Sequence, residues 1–136
     1  MPKIEYTKKP SSADISFITN RINEETSSMG HASPFAFFIR DDDSEIIAGA
    51  NGFVIYGAVY TDQLWVDKLY IGQGYARKIM YKVHELGNRE GCKIATVQTM
   101  SFQGAQGFYE KLGYTPEFRR TGYVNGSNCI FMSKSL

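Results

Sequence analysis

The sequence predicts an α/β protein of the mixed α+β kind: a mixed, mostly antiparallel sheet of about seven strands, flanked by helices. Three observations lead to this prediction. Apolar runs joined by short turns between residues 35 and 66 indicate a meander, two later helical patterns each follow a strand, and Asn125-Gly126 is a strong hairpin signal. With 136 residues, one core accounts for the whole chain, so residues 1–136 are predicted to form a single domain.

The composition is typical of a soluble globular protein. A net charge of +1 gives no reason to expect nucleic acid or a membrane surface as a partner. The N-terminal region has no apolar leader, and no apolar run approaches the ~18 residues of a membrane span, so a cytoplasmic location is expected. Cys92 and Cys129 lie far apart with no Cys-x-x-Cys or cysteine–histidine grouping, which predicts buried or half-buried free thiols; a disulfide or a metal site is the alternative.

The first 34 residues carry one clear helical pattern. Lys3–Tyr6 alternates polar and apolar residues and predicts an edge strand. A helix is expected from about Ala13 to Glu25, because isoleucines recur there at positions i, i+3 and i+7, namely Ile15, Ile18 and Ile22. The polar stretch Thr26–Pro34 is interpreted as a loop.

The meander follows. Phe35–Arg40 is the first strand, and an acidic turn leads to a second apolar run, Glu45–Tyr60. Its three glycines predict bends or bulges: Gly49, Gly52 and Gly57. A turn is expected at Thr61-Asp62, before the strand Leu64–Val66.

The second half predicts alternating helices and strands. A helix from Gly74 to Glu90, stopped by Gly91, is expected to pack through Ile79, Met80 and Val83. It precedes the strand Cys92–Thr99, which should lie parallel to its predecessor. A short helix then ends at Gly113, and a hairpin around Asn125-Gly126 closes the chain.

The stretch Leu64–Met80 indicates strand, tight turn and helix. Gly72 and Gly74 supply the turn, and the unpaired N–H groups at the start of the helix suit a phosphate or pyrophosphate. The dinucleotide fingerprint is excluded because Arg77 stands where its third glycine would be, and no Gly-Lys-Ser/Thr is present.

Two motifs together resemble the Gcn5-related N-acetyltransferase (GNAT) superfamily. The first is Ile71-Gly72-Gln73-Gly74-Tyr75-Ala76 after a strand, similar to that family's acyl-CoA loop Gln/Arg-x-x-Gly-x-Gly/Ala. The second is Ala105-Gln106-Gly107-Phe108-Tyr109-Glu110-Lys111-Leu112-Gly113-Tyr114, close to Ala-x-x-Phe-Tyr-x-Lys-x-Gly-Phe/Tyr. The resemblance covers the chain from about Phe35 to its end. It implies an acyl-CoA N-acyltransferase fold with the sheet splayed at its centre, and acetyl-CoA as cosubstrate without a metal.

This sequence departs from the family pattern at two positions. Ile71 stands where the family prefers arginine or glutamine, so side-chain help to the pyrophosphate is missing there. Phe102 stands where many members have asparagine, which removes an amide near the pantetheine arm. Backbone amides remain, so acyl-CoA binding is expected to persist.

The resemblance implies a role for each part of the loop region. The backbone of Leu64, Trp65 and Val66 would guide the pantetheine arm, with an N–H at Val66 polarising the thioester carbonyl, while the Trp65 and Val66 side chains are expected to pack in the core. The phosphates would contact the start of the helix, at Gly72, Gln73, Gly74, Tyr75, Ala76, Arg77 and Lys78.

The sequence indicates one residue as the general acid of acetyl transfer but several as its general base. Tyr109 matches the family tyrosine, which implies a general acid toward the coenzyme A thiolate; a core aromatic is the alternative. The resemblance makes Asp62 and Glu25, with Glu24, candidate bases; the alternatives are that each is a solvated surface carboxylate and that a water chain takes the proton. His31 is a weaker candidate, and His84 is expected to be exposed on its helix.

The implied function is an N-acetyltransferase that moves an acetyl group from acetyl-CoA to a primary amine by direct transfer in a ternary complex. The acceptor would be a small molecule or a peptide, and the resemblance also admits a homodimer. A non-catalytic acyl-CoA-binding or interaction module on the same fold is the alternative. The acceptor side is expected to use aromatic and basic side chains: Phe35, Tyr56, Tyr60, Phe118, Arg119, Arg120 and Tyr123.

Overall fold

A six-stranded mixed sheet runs through the computed structural model, which describes all residues, 1–136. Its strand order is β1-β2-β3-β4-β6-β5, and three helices accompany it. The strands are β1 (Ala32–Arg40), β2 (Ile46–Ile55), β3 (Ala58–Val66), β4 (Ile94–Met100), β5 (Thr115–Arg120) and β6 (Cys129–Ser135). The helices are α1 (Ser12–Glu25), α2 (Tyr75–Arg89) and α3 (Gln106–Lys111), and none is long and apolar enough to cross a membrane.

The predicted antiparallel meander is present as β1-β2-β3, but its second turn lies elsewhere. The chain reverses at Tyr56-Gly57, where φ is 49° and 85°, as a type I′ turn requires. The predicted turn at Thr61-Asp62 is wrong, because both residues lie inside β3. A bulge in this ladder, predicted from the glycines, is confirmed at Gly52, where a Cβ would lie 1.8 Å from the Tyr60 carbonyl oxygen.

The parallel pair predicted from the intervening helix is confirmed, and it is short. β3 pairs with β4 only from Ala58 to Thr61, opposite Ile94 to Val97. Beyond Thr61 the ladder stops, while Gln98–Met100 stays paired with β6 on the other side. The two central strands therefore separate, and a gap opens along the second half of β3.

One side of the sheet carries the core. Ile79, Met80 and Val83 of α2 are buried against it, as predicted from their spacing. Tyr109 and Leu112 belong to the same cluster and bring the α3 segment to this side. The opposite side of the sheet, which we call the open face, carries Phe38, Phe53, Tyr60 and Trp65. These residues alternate with neighbours that pack into the core.

The N-terminal segment differs from the prediction. Residues 1–11 form no helix or strand, so the strand predicted at Lys3–Tyr6 is wrong, and the sheet has six strands instead of about seven. Ile4 is fully exposed and Tyr6 is 82% exposed, so this short alternating segment buries no side chain that could hold it on a sheet edge. The first helix spans Ser12–Glu25 as expected, with Ser11 accepting from the Asp14 N–H at its start.

The final hairpin joins β5 to β6 with a longer connection than predicted. Asn125-Gly126 does form a left-handed turn, closed by a 2.9 Å hydrogen bond from the Ser127 N–H to the Val124 carbonyl. The strands nevertheless end at Arg120 and resume at Cys129, so the turn lies within the connection. Cys92 and Cys129 are free and buried, as the sequence predicted.

Candidate active site

The gap between β3 and β4 exposes backbone donors of β3. The Asp67 N–H donates to the Ile47 carbonyl of the β2 side at 2.8 Å. Because successive N–H groups of an extended strand point to opposite sides, those of Val66 and Leu64 face the gap. Thr61, the last paired residue, carries the one fully buried side-chain oxygen without a hydrogen-bond partner. The gap thus has unpaired polar groups along its length and at its apex.

The loop after β3 connects this strand to the start of α2, where further backbone donors are free. A Lys68–Tyr70 helical turn, capped by Asp67, is followed by Gly72 and Gly74 with φ of 88° and 82°. Gly74 precedes α2 without any side-chain cap, and the first backbone bond of the helix is from Lys78 to Gly74. The N–H groups of the first turn are therefore free for an anion.

A cavity of about 520 Å³ lies over this loop on the core side of the sheet. Its wall is mainly apolar, with Arg77 and Lys111 as its two cations. The end of β3, the loop with the start of α2, and the α3 segment all contribute: Val66, Tyr70, Ile71, Gly72, Gly74, Tyr75, Ala76, Arg77, Tyr81, Phe108, Lys111 and Leu112. Apolar walls, two cations and free helix N–H groups fit a long ligand that ends in phosphates.

The structure places some predicted cofactor residues on this wall and others away from it. Val66, Gly72, Gly74, Tyr75, Ala76 and Arg77 line the cavity, whereas Leu64, Trp65, Gln73 and Lys78 do not. The Lys78 ammonium instead lies 5.6 Å from the Tyr75 ring centroid. Trp65 is 54% exposed on the open face, so the expected core packing of its side chain is wrong, because strand alternation points it away from α2.

Sequence reasoning missed five cavity residues, which are Tyr70, Tyr81, Phe108, Lys111 and Leu112. Phe108, Lys111 and Leu112 belong to the second motif, from which only Tyr109 is predicted as a site residue. Lys111 was predictable, because it is a cation within a motif that accompanies the phosphate loop, and such a cation is a candidate phosphate ligand. Tyr70 and Tyr81 gave no signal, because their position depends on how α2 leaves the loop.

Ile71 lies at the rim of the cavity and is 67% exposed. An arginine there would add a cation beside the free N–H groups of α2 without displacing any packed side chain. Ile71→Arg is expected to lower the Kd for acetyl-CoA about tenfold, as measured by calorimetry, and Ile71→Gln less. An unchanged Kd would show that the backbone amides alone determine affinity.

Tyr109 is 6% exposed and lies behind the cavity residues Phe108 and Leu112. Its ring packs edge-on against those of Phe108 and Tyr114, with centroids 5.2 and 5.5 Å away. Burial raises the pKa of Tyr109 to about 12, so the phenol stays protonated at neutral pH. Its hydroxyl makes no hydrogen bond within the chain, although it is not fully buried.

A buried polar pair lies on the far side of the Tyr114 ring. His84 is 8% exposed, so its predicted exposure on α2 is wrong, and its Nε2 lies 2.7 Å from the Tyr114 hydroxyl. The sequence could not show this because the partner lies 30 residues away. Burial, with a smaller contribution from the Lys134 charge, lowers the pKa of His84 to about 4.

This pair predicts acid sensitivity. Below its unfolded pKa of about 6.5, His84 takes up a proton in the unfolded chain but stays neutral in the folded one, down to about pH 4. The free energy of unfolding should therefore fall on acidification through this window, by up to about 3 kcal/mol. Denaturant unfolding at a series of pH values measures how steeply the free energy of unfolding falls on acidification. This fall should be less steep in His84→Gln than in the parent, with His31→Gln, a change at an exposed position, as the control. Equal slopes in all three proteins would refute the assignment.

Asp62 begins the unpaired part of β3 and accepts a 3.1 Å hydrogen bond from the Tyr60 hydroxyl. Burial raises the pKa of Tyr60, and the hydrogen bond and charge of Asp62 add to this. Of the predicted bases, this carboxylate lies beside the gap.

The second predicted base, Glu25, lies elsewhere. The end of α1 is tied to the β2–β3 turn, where the Tyr56 hydroxyl donates to Thr26 Oγ1 at 3.1 Å. Val66 is at the other end of β3, roughly 25 Å further along at about 3.3 Å per residue. Glu24 pairs with Arg21, and His31 lies by the same end of α1. The structure therefore does not bring these residues to the cavity of their own chain.

A second cavity, of about 390 Å³, lies on the open face beside the apex of the gap. Tyr60, Phe118 and Arg120, three of the predicted acceptor residues, line it together with Gln98, Glu117 and Phe131. Three others lie elsewhere: Phe35 packs on the core, Tyr56 bonds to Thr26, and Arg119 donates to Gln106 at 2.8 Å. The separated strands thus have a long, phosphate-suited cavity on one side and a mixed polar and aromatic cavity on the other.

A mixed sheet whose central parallel strands separate next to an uncapped helix start is the arrangement of acyl-CoA N-acyltransferases. The sequence profile of the acetyltransferase (GNAT) family matches residues 5–114. This chain belongs to the GNAT family of acetyltransferases, and its six-stranded α/β fold is that of the family.

Known proteins give the same assignment. The chain is 31% identical over 103 residues to a blasticidin-S acetyltransferase from Streptomyces morookaense, which covers 75% of each protein. A candidate acetyltransferase from Agrobacterium tumefaciens has a TM-score of 0.79 at 22% identity, with 100% of both chains covered. A candidate streptothricin acetyltransferase from Bacillus anthracis, solved with acetyl coenzyme A, has a TM-score of 0.68 at 14% identity, covering 76% of this chain and 62% of its own. Because their sequence identity to this chain is low, the two solved structures show similarity of fold alone.

Proposed function

We propose that this acetyltransferase uses acetyl-CoA to acetylate a small-molecule primary amine, by direct attack of the amine on the thioester. The observation that carries the proposal is the pair of cavities on opposite sides of the sheet, one at the open end of the gap by Val66 and the other at its apex by Tyr60 and Gln98, with unpaired β3 donors between them. Acetyl-CoA would enter from the core side and the amine from the open face. The carbonyl carbon would then lie where both ligands can reach it.

The cosubstrate side is supported by chemistry that the chain itself supplies. The free N–H groups at the start of α2, together with Arg77 and Lys111, would hold the phosphates. The Val66 and Leu64 N–H groups would pair with the pantetheine amides and the thioester carbonyl, as an added strand would. A donor to the oxyanion at this point is typically worth ~3 kcal/mol in the transition state.

Bond making and breaking then need two proton transfers. The amine must lose a proton, for which Asp62 is our candidate acceptor, directly or through water. As the C–S bond breaks, the Tyr109 phenol would donate to the leaving sulfur. A pKa near 12 makes complete proton transfer to a thiolate unfavourable in water, but the same apolar surroundings also raise the pKa of the thiol.

Direct transfer is favoured over a covalent enzyme intermediate. The two thiols are buried, and burial raises the pKa of Cys92, which disfavours a thiolate nucleophile. The Nε2 atom of His84, the histidine on α2, is hydrogen-bonded to the Tyr114 hydroxyl. No nucleophile–base pair therefore faces the first cavity.

The acceptor class follows from the second cavity and from one relative. Tyr60, Phe118 and Phe131 present aromatic surface, and Glu117 with Asp62 can hold an ammonium group. The relative from Streptomyces morookaense is named for blasticidin S, which makes that compound the first acceptor to test. A peptide N-terminus is the matched comparison.

The test is acetyl transfer from acetyl-CoA to an amine panel containing blasticidin S, simple diamines and a short peptide, with products identified by mass. The proposal expects at least one small amine to be N-acetylated with release of free coenzyme A. The rim residue Ile71 motivates a second candidate, a non-catalytic acyl-CoA-binding module. Thermal stabilisation by acetyl-CoA without any acetylated product would favour that module instead.

A further inference from the structure

Helix α1 is folded but has no packing partner. None of its 14 residues is buried, although the pattern that predicts it is an apolar one. Ile15, Ile18 and Ile22, which we call the isoleucine stripe, are 51%, 56% and 45% exposed. They lie on one side of the helix because they are spaced by three and four residues. A helix of this length gains most of its stability in proteins from packing such a stripe.

The isoleucine stripe is not packed on the sheet of its own chain. The Asn23 side chain bonds both backbone groups of Ala32, at 2.9 and 3.1 Å, and Thr26 accepts from Tyr56. These contacts anchor only the C-terminal end of α1, at the start of β1 and the β2–β3 turn. The rest of the helix extends from that anchor without burying a side chain.

The open face of the sheet is the second unpartnered apolar surface. Phe38 is 53% and Trp65 54% exposed, and Gly49 lies between them in the strand pairing. The Phe38 ring lies over Gly49, because a Cβ on Gly49 would lie 2.9 Å from Phe38 Cδ1, so Phe38 and Trp65 flank a position without a side chain of its own. Phe53, further along β2, is 37% exposed. Helix α2 covers the other side of the same strands, so this side is bare by comparison.

The two surfaces are both apolar, and at one end of the open face they are also complementary in charge. Helix α1 carries Asp14, Glu24 and Glu25 against the single cation Arg21, a net charge of −2. On the open face, the guanidinium of Arg40 lies 5.6 Å from the Phe38 centroid, and that of Arg120 lies 5.1 Å from the Phe131 centroid. The carboxylates of Asp62 and Glu117 lie near the second cavity on the same face, so the match to an acidic helix is at the other end, where Arg40 borders Phe38.

We propose that the chain forms a two-fold symmetric homodimer in which each α1 lays its isoleucine stripe on the open face of the other copy. Both copies then bury the same two surfaces, so the assembly closes at two chains. The second cavity lies on this face, so the partner's α1 would form a wall of the acceptor site. That last consequence rests on the proposed function, whereas the dimer itself does not.

Cross-linking between two variants of the chain tests whether α1 contacts the other copy, and it needs no enzymatic activity. Chains carrying Ile18→Cys and chains carrying Phe53→Cys, one of them tagged, are mixed and treated with a short bismaleimide. Both sites are exposed, while the native Cys92 and Cys129 are buried. The proposal expects a tagged–untagged conjugate. If the mixture gives none and the double variant cross-links only within one chain, α1 folds back on its own sheet and the proposal is wrong.

Light scattering provides the second readout, with a control on the same helix. The parent should have twice the 15.3 kDa mass of the chain, and Ile18→Glu should have the monomer mass. Phe17→Glu makes the same change on the other side of α1, where Phe17 is 62% exposed and packs on Arg21, and should remain dimeric. A monomeric parent at micromolar concentration would overturn the proposal.

The acceptor kinetics separate this proposal from the proposed function. In an active enzyme, Ile18→Glu should raise the KM for the amine at least fivefold and leave the Kd for acetyl-CoA unchanged, because that cavity lies on the core side. A dimeric protein that acetylates no amine would refute the function alone. An active Ile18→Glu monomer with an unchanged KM would refute the role of the partner helix at the site.

Discussion

Replacing Tyr109 by phenylalanine is expected to lower kcat at least about 100-fold, while the Kd for acetyl-CoA changes less than about twofold. The ring would keep its edge-on contacts with Phe108 and Tyr114, so only the hydroxyl is lost. That hydroxyl has no hydrogen-bond partner within the chain, and its removal therefore leaves no unpaired group behind. Steady-state kinetics with saturating acetyl-CoA and calorimetric titration measure the two quantities.

Tyr114→Phe is the matched control, because it removes a hydroxyl from the neighbouring ring of the same cluster. It leaves His84 without its 2.7 Å partner in a buried position and should cost about 1–3 kcal/mol of stability. Its effect on kcat should be far smaller than that of Tyr109→Phe. Turnover that is unchanged in Tyr109→Phe from pH 6 to 10 would show that Tyr109 is only a core aromatic.

Gly74→Ala is expected to raise the Kd for acetyl-CoA at least tenfold. Gly74 has φ of 82°, and holding a residue with a Cβ there costs roughly 1–2 kcal/mol. The strain should be relieved by a shift of the first turn of α2, whose free N–H groups are the proposed phosphate donors. The added methyl group itself meets nothing within 4 Å, so a clash is not the cause.

Gly91→Ala tests whether this effect is local to the loop. Gly91 follows the other end of α2 with φ of 75°, and a Cβ there also meets nothing within 4 Å. The two variants should lose similar stability in thermal unfolding, but Gly91→Ala should bind acetyl-CoA like the parent. Equal affinity losses in both would mean that global stability, and not the loop, determines binding.

Elements with a local signal were predictable from the sequence. The spacing of Ile79, Met80 and Val83 predicted both helix α2 and its buried side. The helix that follows β3 predicted that the next strand, β4, lies parallel to β3. The glycine turn before α2 was predictable because glycine is the residue that tolerates positive φ. These features depend on residues close together in the chain.

Features set by distant contacts were not predictable. The turn at Tyr56-Gly57 places a tyrosine at φ of 49°, which no local preference suggests. His84 is buried because Tyr114 offers it a partner, and Trp65 is exposed because nothing in the chain covers the open face. The isoleucine pattern predicted α1 correctly, yet a periodic pattern cannot say which surface a helix packs against.

One single-turnover measurement tests the central claim most directly. The protein is incubated with acetyl-CoA carrying an isotopic label in its acetyl group, first alone and then with an accepted amine, and the label is followed by mass. Direct transfer in the gap between β3 and β4 predicts an unlabelled protein in the first sample and a labelled N-acetyl amine in the second. A labelled protein formed without amine, and chased into product when amine is added, would contradict the account.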